Sequence, residues 1–235
     1  ISFISLKNAT EDLFNNLTDF IVTSPINKDN IQNKEFTFFG HTEYFTNKCS
    51  LKESLMLMVH SGLRVGLVTN HLPVKGVSKA VTKEKILTKL VLMNNSIKSD
   101  FGLTNPKIAV LGLNPHSGDN GLIGNEENSI IKPSIVEANK QGVNCYGPFP
   151  ADGFFANELY KSYDGVLAMY HDQGLIPFKV ISKNEGVNFT AGLPIIRTSP
   201  DHGTGYDIAG KGIANSTSFE NAIIEGIRIY QKRIN

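Results

Sequence analysis

Short apolar runs alternating with segments of helical period restrict the fold of this chain more than any other feature. Asp19–Thr23 (DFIVT), Leu55–Val59, Arg64–Thr69, Lys107–Leu111 (KIAVL) and Gly165–Met169 (GVLAM) read as buried strands. Ser61-Gly62 between the second and third is a turn signal. Phe178–Ile181, Val187–Thr190 and Ile195–Thr198 read as further short strands. Between these runs, Thr82–Asn94 carries Ile86, Leu87, Leu90, Val91 and Met93 at helical spacing. Asn128–Lys140 reads as a helix stopped by Gly142, and Ala151–Lys161 as another. Ser218–Lys232 closes the chain as an amphipathic helix, with Ala222, Ile223, Ile227 and Tyr230 apolar. Strands alternating with helices predict an α/β sandwich whose sheet is mixed or largely parallel. In such a sheet the loops beyond the C-terminal strand ends build the site.

Composition sets outer limits. The 235 residues, 40% hydrophobic and 19% charged, suffice for one large domain or two small ones. A net charge of +1 supplies no global field for nucleic acid or anionic membrane. No apolar run approaches the roughly 18–20 residues that span a bilayer. The opening ISFISLKNATEDLF lacks the parts of a secretory signal and an initiator Met, so an internal starting point is expected. Cys49 and Cys145 form no CxxC pattern, which points to reduced thiols in a cytoplasmic protein.

Three of the six histidines stand just past strand ends. His71 follows Arg64–Thr69, His116 follows Lys107–Leu111, and His171 follows Gly165–Met169. Imidazoles at equivalent loop positions can converge on one cation and leave coordination places open for substrate. The alternative is three separate surface or hydrogen-bonded residues. His60, beside Ser61-Gly62, has only that ordinary explanation.

Lys179, Asn188 and Arg197 lie in one stretch, each beside an apolar run. They are either solvated charges or partly buried handles for phosphate and carboxylate. His41-Thr42 open a helix (HTEYFTN), where free backbone N–H groups favour anions. The glycine-rich Asp201–Asn215 contains Gly205, Gly210 and Lys211 at P-loop spacing, but Gly212 stands where Ser or Thr is needed, which excludes a P-loop. No GxGxxG follows a strand, so the Rossmann fingerprint is absent.

The segments GHTEYF, TNHLPVKGV, GLNPHSGDNGLIGNEE, GPFPADGFF, DGVLAMYHDQGLIPFK and GVNFTAGLPIIRTSPDHGTGYDIAGKG resemble, in order, the signatures of the 4-hydroxythreonine-4-phosphate dehydrogenase family. HGTGYDIAGKGIAN is also similar to the cofactor loop of isocitrate and isopropylmalate dehydrogenases, which bind their nucleotide without a Rossmann motif. The resemblance implies an α/β/α sandwich of that dehydrogenase type. It implies a divalent metal (zinc, magnesium or cobalt) on His71, His116 and His171, shared across a homodimer interface. Substrate contacts fall on His41, Thr42, Lys179, Asn188 and Arg197, and NAD contacts on Asp201, His202, Gly203, Thr204, Asp207 and Asn215. Lys179 is a candidate base, with a metal-bound water or another carboxylate as alternatives. Asp172 is implied to orient His171. The implied activity is oxidation with decarboxylation of 4-phosphohydroxy-L-threonine to 3-amino-2-oxopropyl phosphate in pyridoxal 5′-phosphate biosynthesis, without nucleic-acid or membrane partners.

The family's opening strand and GDPxGIGPE segment do not occur here, so a chain lacking its N-terminal part, with weak or no activity alone, is expected. Residues 36–206 would then form the central domain, and 1–35 with 207–235 the remnant of a second. Rival functions are oxidation of a phosphorylated sugar acid or of an aromatic dihydrodiol, and an inactive metal- and ligand-binding protein. Retention of Lys179, Asn188 and Arg197 favours a phosphorylated acid over a dihydrodiol.

Overall fold

A computed structural model describes every residue from Ile1 to Asn235. The elements run α1 (Ser2–Phe14), β1 (Ile21–Val22), α2 (His41–Lys48), β2 (Leu55–His60), β3 (Leu63–Leu67), α3 (Val74–Ala80), α4 (Lys83–Ser99) and β4 (Ile108–Leu111). They continue as α5 (Lys132–Lys140), β5 (Cys145–Phe149), α6 (Ala151–Ala156), β6 (Gly165–Ala168), α7 (His171–Ser182), β7 (Val187–Ala191), β8 (Arg197–Pro200) and α8 (Thr217–Ile234). All strands belong to one mixed sheet in the order β1-β8-β7-β2-β3-β6-β4-β5.

Side-chain alternation along β2 divides the core into layers. Leu55, Leu57 and Val59 point to the face covered by α4, α5 and α8, while Met56 and Met58 point to the face covered by α6 and α7. The helix period of α4 explains the first layer. Thr82 caps it by accepting from the Lys85 N–H, and Ile86, Leu90, Met93 and Ile97 are fully buried along one stripe. On the second face Gly174 lets α7 lie close to the sheet, since a Cβ there would come within 2.8 Å of the Leu67 side chain. A third cluster joins α1 and α2 through Leu6, Leu13, Phe36, Tyr44 and Phe45. The result is the expected α/β/α sandwich.

Strands β3, β6 and β4 are neighbours and parallel. Their C-terminal ends therefore share one edge, and the loops carrying His71, His171 and His116 leave from it. The hairpin of β2 and β3 turns at Ser61-Gly62, as expected.

The expected strand Phe178–Ile181 is instead the end of helix α7. A short apolar run cannot by itself distinguish a strand from a buried helical turn. The longer spacing decides it: Gly174, Leu175, Phe178 and Ser182 are buried at helical intervals, and Lys183 ends the helix in the left-handed region. Lys179 thus projects from the last turn of a helix. Three elements, α1, α3 and β5, had no forecast. Strand β1 pairs with β8, and α8 is tied to β8 by a Thr198 hydroxyl donating to the Ala222 carbonyl. Residues 1–35 and 207–235 therefore contribute to the same sheet sandwich as residues 36–206.

Candidate active site

Beyond β2, the second face of the sheet changes from apolar to polar. Asn188 and Thr190 of β7 and Arg197 and Ser199 of β8 project on the side of Met56 and Met58, because Met58 pairs with Asn188 and Asn188 with Ser199. A cleft of about 330 Å³ opens over this stretch. Its walls include His41, Thr42 and Glu43 at the start of α2, His71 and His171 at the strand-end edge, and Lys179 of α7.

Arg197 is 3% exposed. Its Nε and Nη2 donate to Thr23 Oγ1 at 3.0 and 2.7 Å, and Nη1 donates to Thr190 Oγ1 at 3.2 Å. No carboxylate pairs with it directly; burial lowers its pKa to about 10, partly offset by the more distant Glu43, so it stays charged at neutral pH. A buried cation held only by neutral groups is costly unless an anion completes the site. The Asn188 Oδ1 atom beside it is buried and has no hydrogen-bond partner. Lys179 Nζ reaches the Asp201 carbonyl at 3.0 Å and its carboxylate at 3.2 Å. Burial raises the Asp201 pKa in spite of that lysine.

His41 Nδ1 lies 3.4 Å from Arg197 Nη2. Burial first, and the Arg197 charge second, push its pKa down from 6.5 to about 3. Between those values the unfolded chain binds a proton that the folded chain refuses, so stability falls as pH drops through that window. In His41→Gln that loss should be shallower, by up to roughly 1 kcal/mol per pH unit below pH 6. Urea unfolding of both proteins from pH 7 to 4 measures it; parallel curves would mean His41 is already open to solvent protons.

The three strand-end histidines do not all meet within one chain. His71 and His171 face each other with ring centroids 5.9 Å apart. His171 Nδ1 is 2.7 Å from Asp172 Oδ1, and His71 Nδ1 is 3.8 Å from Glu43 Oε1. Burial opposes the charge on Glu43, yet His71 and a backbone N–H together hold its pKa below the usual range. Its second oxygen is buried without a partner. His116 opens instead onto a depression of about 520 Å³ bounded by Tyr170, Asp172, Gln173 and Ile176. No three His, Cys, Asp or Glu side chains of one chain cluster as metal donors. Two imidazoles, each beside a carboxylate, suit a divalent cation as half a site.

The glycine-rich loop divides. Asp201, His202 and Gly203 line the main cleft, and His202, Gly203 and Thr204 also line an adjoining cavity of about 770 Å³ bounded by α1. A Cβ at Gly203, Gly210 or Gly212 would meet nothing, so their backbone is open to close approach by a ligand. Asp207 is exposed. Asn215 Oδ1 accepts from the Thr217 N–H at 2.8 Å, an Asx turn leading into α8.

Sequence reasoning did not single out Thr23, Glu43, Thr190 or Ser199. Glu43 stood inside GHTEYF and Thr23 at the end of DFIVT, so position in a motif was the available signal. No helix is long and apolar enough to cross a membrane.

Comparison with known proteins adds an independent line. A family model described as "Pyridoxal phosphate biosynthetic protein PdxA" matches residues 1–225. A 4-hydroxythreonine-4-phosphate dehydrogenase of Bacteroides thetaiotaomicron is 50% identical over 230 residues, covering 97% of this chain and 63% of that protein. The chain thus spans a little under two thirds of that relative's length. The crystal structure of a 4-hydroxythreonine-4-phosphate dehydrogenase from Klebsiella pneumoniae superposes with a TM-score of 0.86 at 36% identity, over 97% of this chain and 69% of that one. A terephthalate 1,2-cis-dihydrodiol dehydrogenase from Burkholderia xenovorans, 23% identical, shares the fold with a TM-score of 0.71 over 97% of this chain and 72% of that one.

Proposed function

The chain belongs to the PdxA family, and from that premise we propose that it is the larger part of an enzyme that oxidises 4-phosphohydroxy-L-threonine and releases CO2, giving 3-amino-2-oxopropyl phosphate for pyridoxal 5′-phosphate synthesis. The observation that carries this is Arg197, a buried guanidinium without a carboxylate partner on the floor of a polar cleft. The proposed substrate has two anionic groups, a phosphate and a carboxylate. Arg197, with Asn188, His41 and Thr42, offers one pole for them, and Lys179 offers a second cation at the cleft wall. A neutral His41, held so by burial, can accept or donate a hydrogen bond beside the guanidinium without adding charge.

His71 and His171 would hold a divalent metal (zinc, magnesium or cobalt), with His116 of a second copy completing the set. Exposed apolar side chains on the segments that carry the three histidines support a homodimer: Val74 of α3, Leu122 after the His116 turn, and Ile176 and Val180 of α7. The open backbone of Gly203 to Gly212 suits NAD, with Asp201, His202, Thr204, Asp207 and Asn215 along its path. When bound, the cation would acidify the substrate hydroxyl and NAD+ would accept the hydride. Lys179 accepts the hydroxyl proton only as the neutral amine, so this proposed role requires that its ammonium, paired with Asp201 in the free protein, first lose a proton. Asp172 would orient the His171 ring through Nδ1, leaving Nε2 free for the cation. The hydride leaves the carbon bearing the hydroxyl, a ketone forms, and the β-carboxylate departs as CO2, leaving its bonding electrons as an enolate that a solvent proton converts to the aminoketone. A division into a central part, 36–206, and flanking portions, 1–35 and 207–235, of a second domain joined to it through the shared sheet belongs to this proposal, as does a cytoplasmic location.

NADH formation from 4-phosphohydroxythreonine and NAD+, with added divalent metal, tests it. Turnover that a chelator abolishes, in the chain joined to the rest of a family-length protein, is the expected result. Turnover of a phosphorylated sugar acid instead would change the substrate and keep the site.

A further inference from the structure

We propose that Glu127 is a positioning residue for His116, setting that imidazole for its role in the metal site by clamping the loop that carries it. The inference rests on the assignment of His116 as a metal ligand.

From His116 to Gly121 every residue has positive φ, from 41° to 102°, and four besides Gly118 and Gly121 are not glycine: His116, Ser117, Asp119 and Asn120. A left-handed run of L-residues costs roughly 1–2 kcal/mol per residue and does not persist unless its surroundings impose it. The run is a tight chain of i→i+3 turns, entered by Ser117 N–H to the Asn114 carbonyl and left by Leu122 N–H to the Asp119 carbonyl and Ile123 N–H to the Gly118 carbonyl. What anchors this turn to the body of the protein is Glu127. It is 1% exposed and sits where a π-helical turn opens the helix that continues as α5. Its Oε1 accepts the Leu113 and Asn114 N–H groups, both at 2.7 Å, and its Oε2 accepts Asn114 Nδ2 at 2.9 Å. These are charge-assisted bonds to the two residues just before Pro115-His116.

The loop closes around this carboxylate. A Cβ on Gly118 would fall 2.6 Å from Glu127 Oε2, so the left-handed turn packs directly on it. The node also reaches the other two histidine loops. Glu126 accepts Asn114 Nδ2 at 2.8 Å and the Ser78 hydroxyl of α3, which follows His71, at 2.6 Å. Gln173 of α7, near His171, donates to the Gly112 carbonyl at 2.6 Å. The loop bearing His116 is therefore fixed relative to both others, and Glu127 is its buried anchor.

The test is zinc affinity by chelator competition, with thermal melting, on Glu127→Ala, Glu127→Gln, His116→Ala and Ile229→Ala. Ile229 is buried on α8, away from the loop, and controls for lost stability alone. Glu127→Ala should weaken zinc binding about 10- to 100-fold, and His116→Ala, which removes a ligand outright, by more. Ile229→Ala should lower the melting temperature and keep zinc affinity within about twofold. Glu127→Gln keeps the shape and the two backbone acceptor contacts but turns an amide toward Asn114, and should fall between. If Glu127→Ala melts lower yet binds zinc like Ile229→Ala, the residue is merely structural and the proposal is overturned. Should Glu127→Ala not fold, wild-type zinc affinity in folded Glu127→Gln overturns it as well. Unchanged affinity in His116→Ala would instead remove the metal assignment, and this inference with it.

Discussion

Arg197→Met should remove substrate binding while leaving the ligand-free protein as stable as before, within about 1 kcal/mol, or more stable. The two halves of this expectation have one cause. In the free protein the guanidinium is buried against Thr23 and Thr190 hydroxyls, with no carboxylate bonded to it. Its charge is therefore a cost that a methionine of similar length avoids. With a phosphorylated acid in the cleft, the same charge is paired and desolvated, and deleting it leaves the ligand anion unpaired. Truncating one partner of such a pair costs about 2–5 kcal/mol, or roughly 30- to 4,000-fold in affinity. Isothermal titration with the substrate and unfolding in urea read the two quantities separately. A variant that unfolds several kcal/mol more easily and still binds the anion would make Arg197 a structural residue and take away the main support for the proposed function. Arg197→Lys should recover part of the affinity, since the charge returns without the planar fork that spans two acceptors.

How much of this was legible beforehand follows from the range of each interaction. Strands bearing Leu55, Ile108 and Val166 could be read locally, because burial on both sheet faces demands continuous apolar runs. Their order could not, yet the adjacency of β3, β6 and β4 is what puts three histidines on one edge. Helix α7 was misread at Phe178–Ile181 because four residues contain barely one helical turn. The apolar flanks of Arg197 announced its burial, while its missing counter-ion depends on Thr23, 174 positions away in sequence. Glu127 closes the segment GLNPHSGDNGLIGNEE, but nothing in that segment says what its carboxylate bonds. A glutamate opening a helix is ordinary, and only the folded loop shows that it bonds Leu113 and Asn114 rather than water. Equivalent loop positions suggested that the three imidazoles converge, whereas the structure pairs His71 with His171 and turns His116 to another depression.

That separation leads to the second large effect. If a metal site takes His71 and His171 from one copy and His116 from its partner, two inactive variants should complement each other. His71→Ala leaves its copy able to lend His116, and His116→Ala leaves its copy with an intact His71–His171 pair. Each variant alone should hold little zinc and show no chelator-sensitive binding. Unfolded together and refolded as an equal mixture, half of the two-fold dimers would be mixed, and each mixed dimer would regain one of its two sites, so about a quarter of the wild-type zinc content should return. Bound zinc after gel filtration reads this directly, and activity of a complete enzyme should follow the same fraction. A mixture that stays empty while each variant remains dimeric would place all three ligands within one copy after a rearrangement of the loop from Pro115 to Gly121. A mixture that stays empty because the proteins are monomeric would leave the exposed Val74, Leu122, Ile176 and Val180 without their proposed partner. Return of the quarter has a single explanation, since neither variant chain contains all three imidazoles and only contact between copies can assemble them.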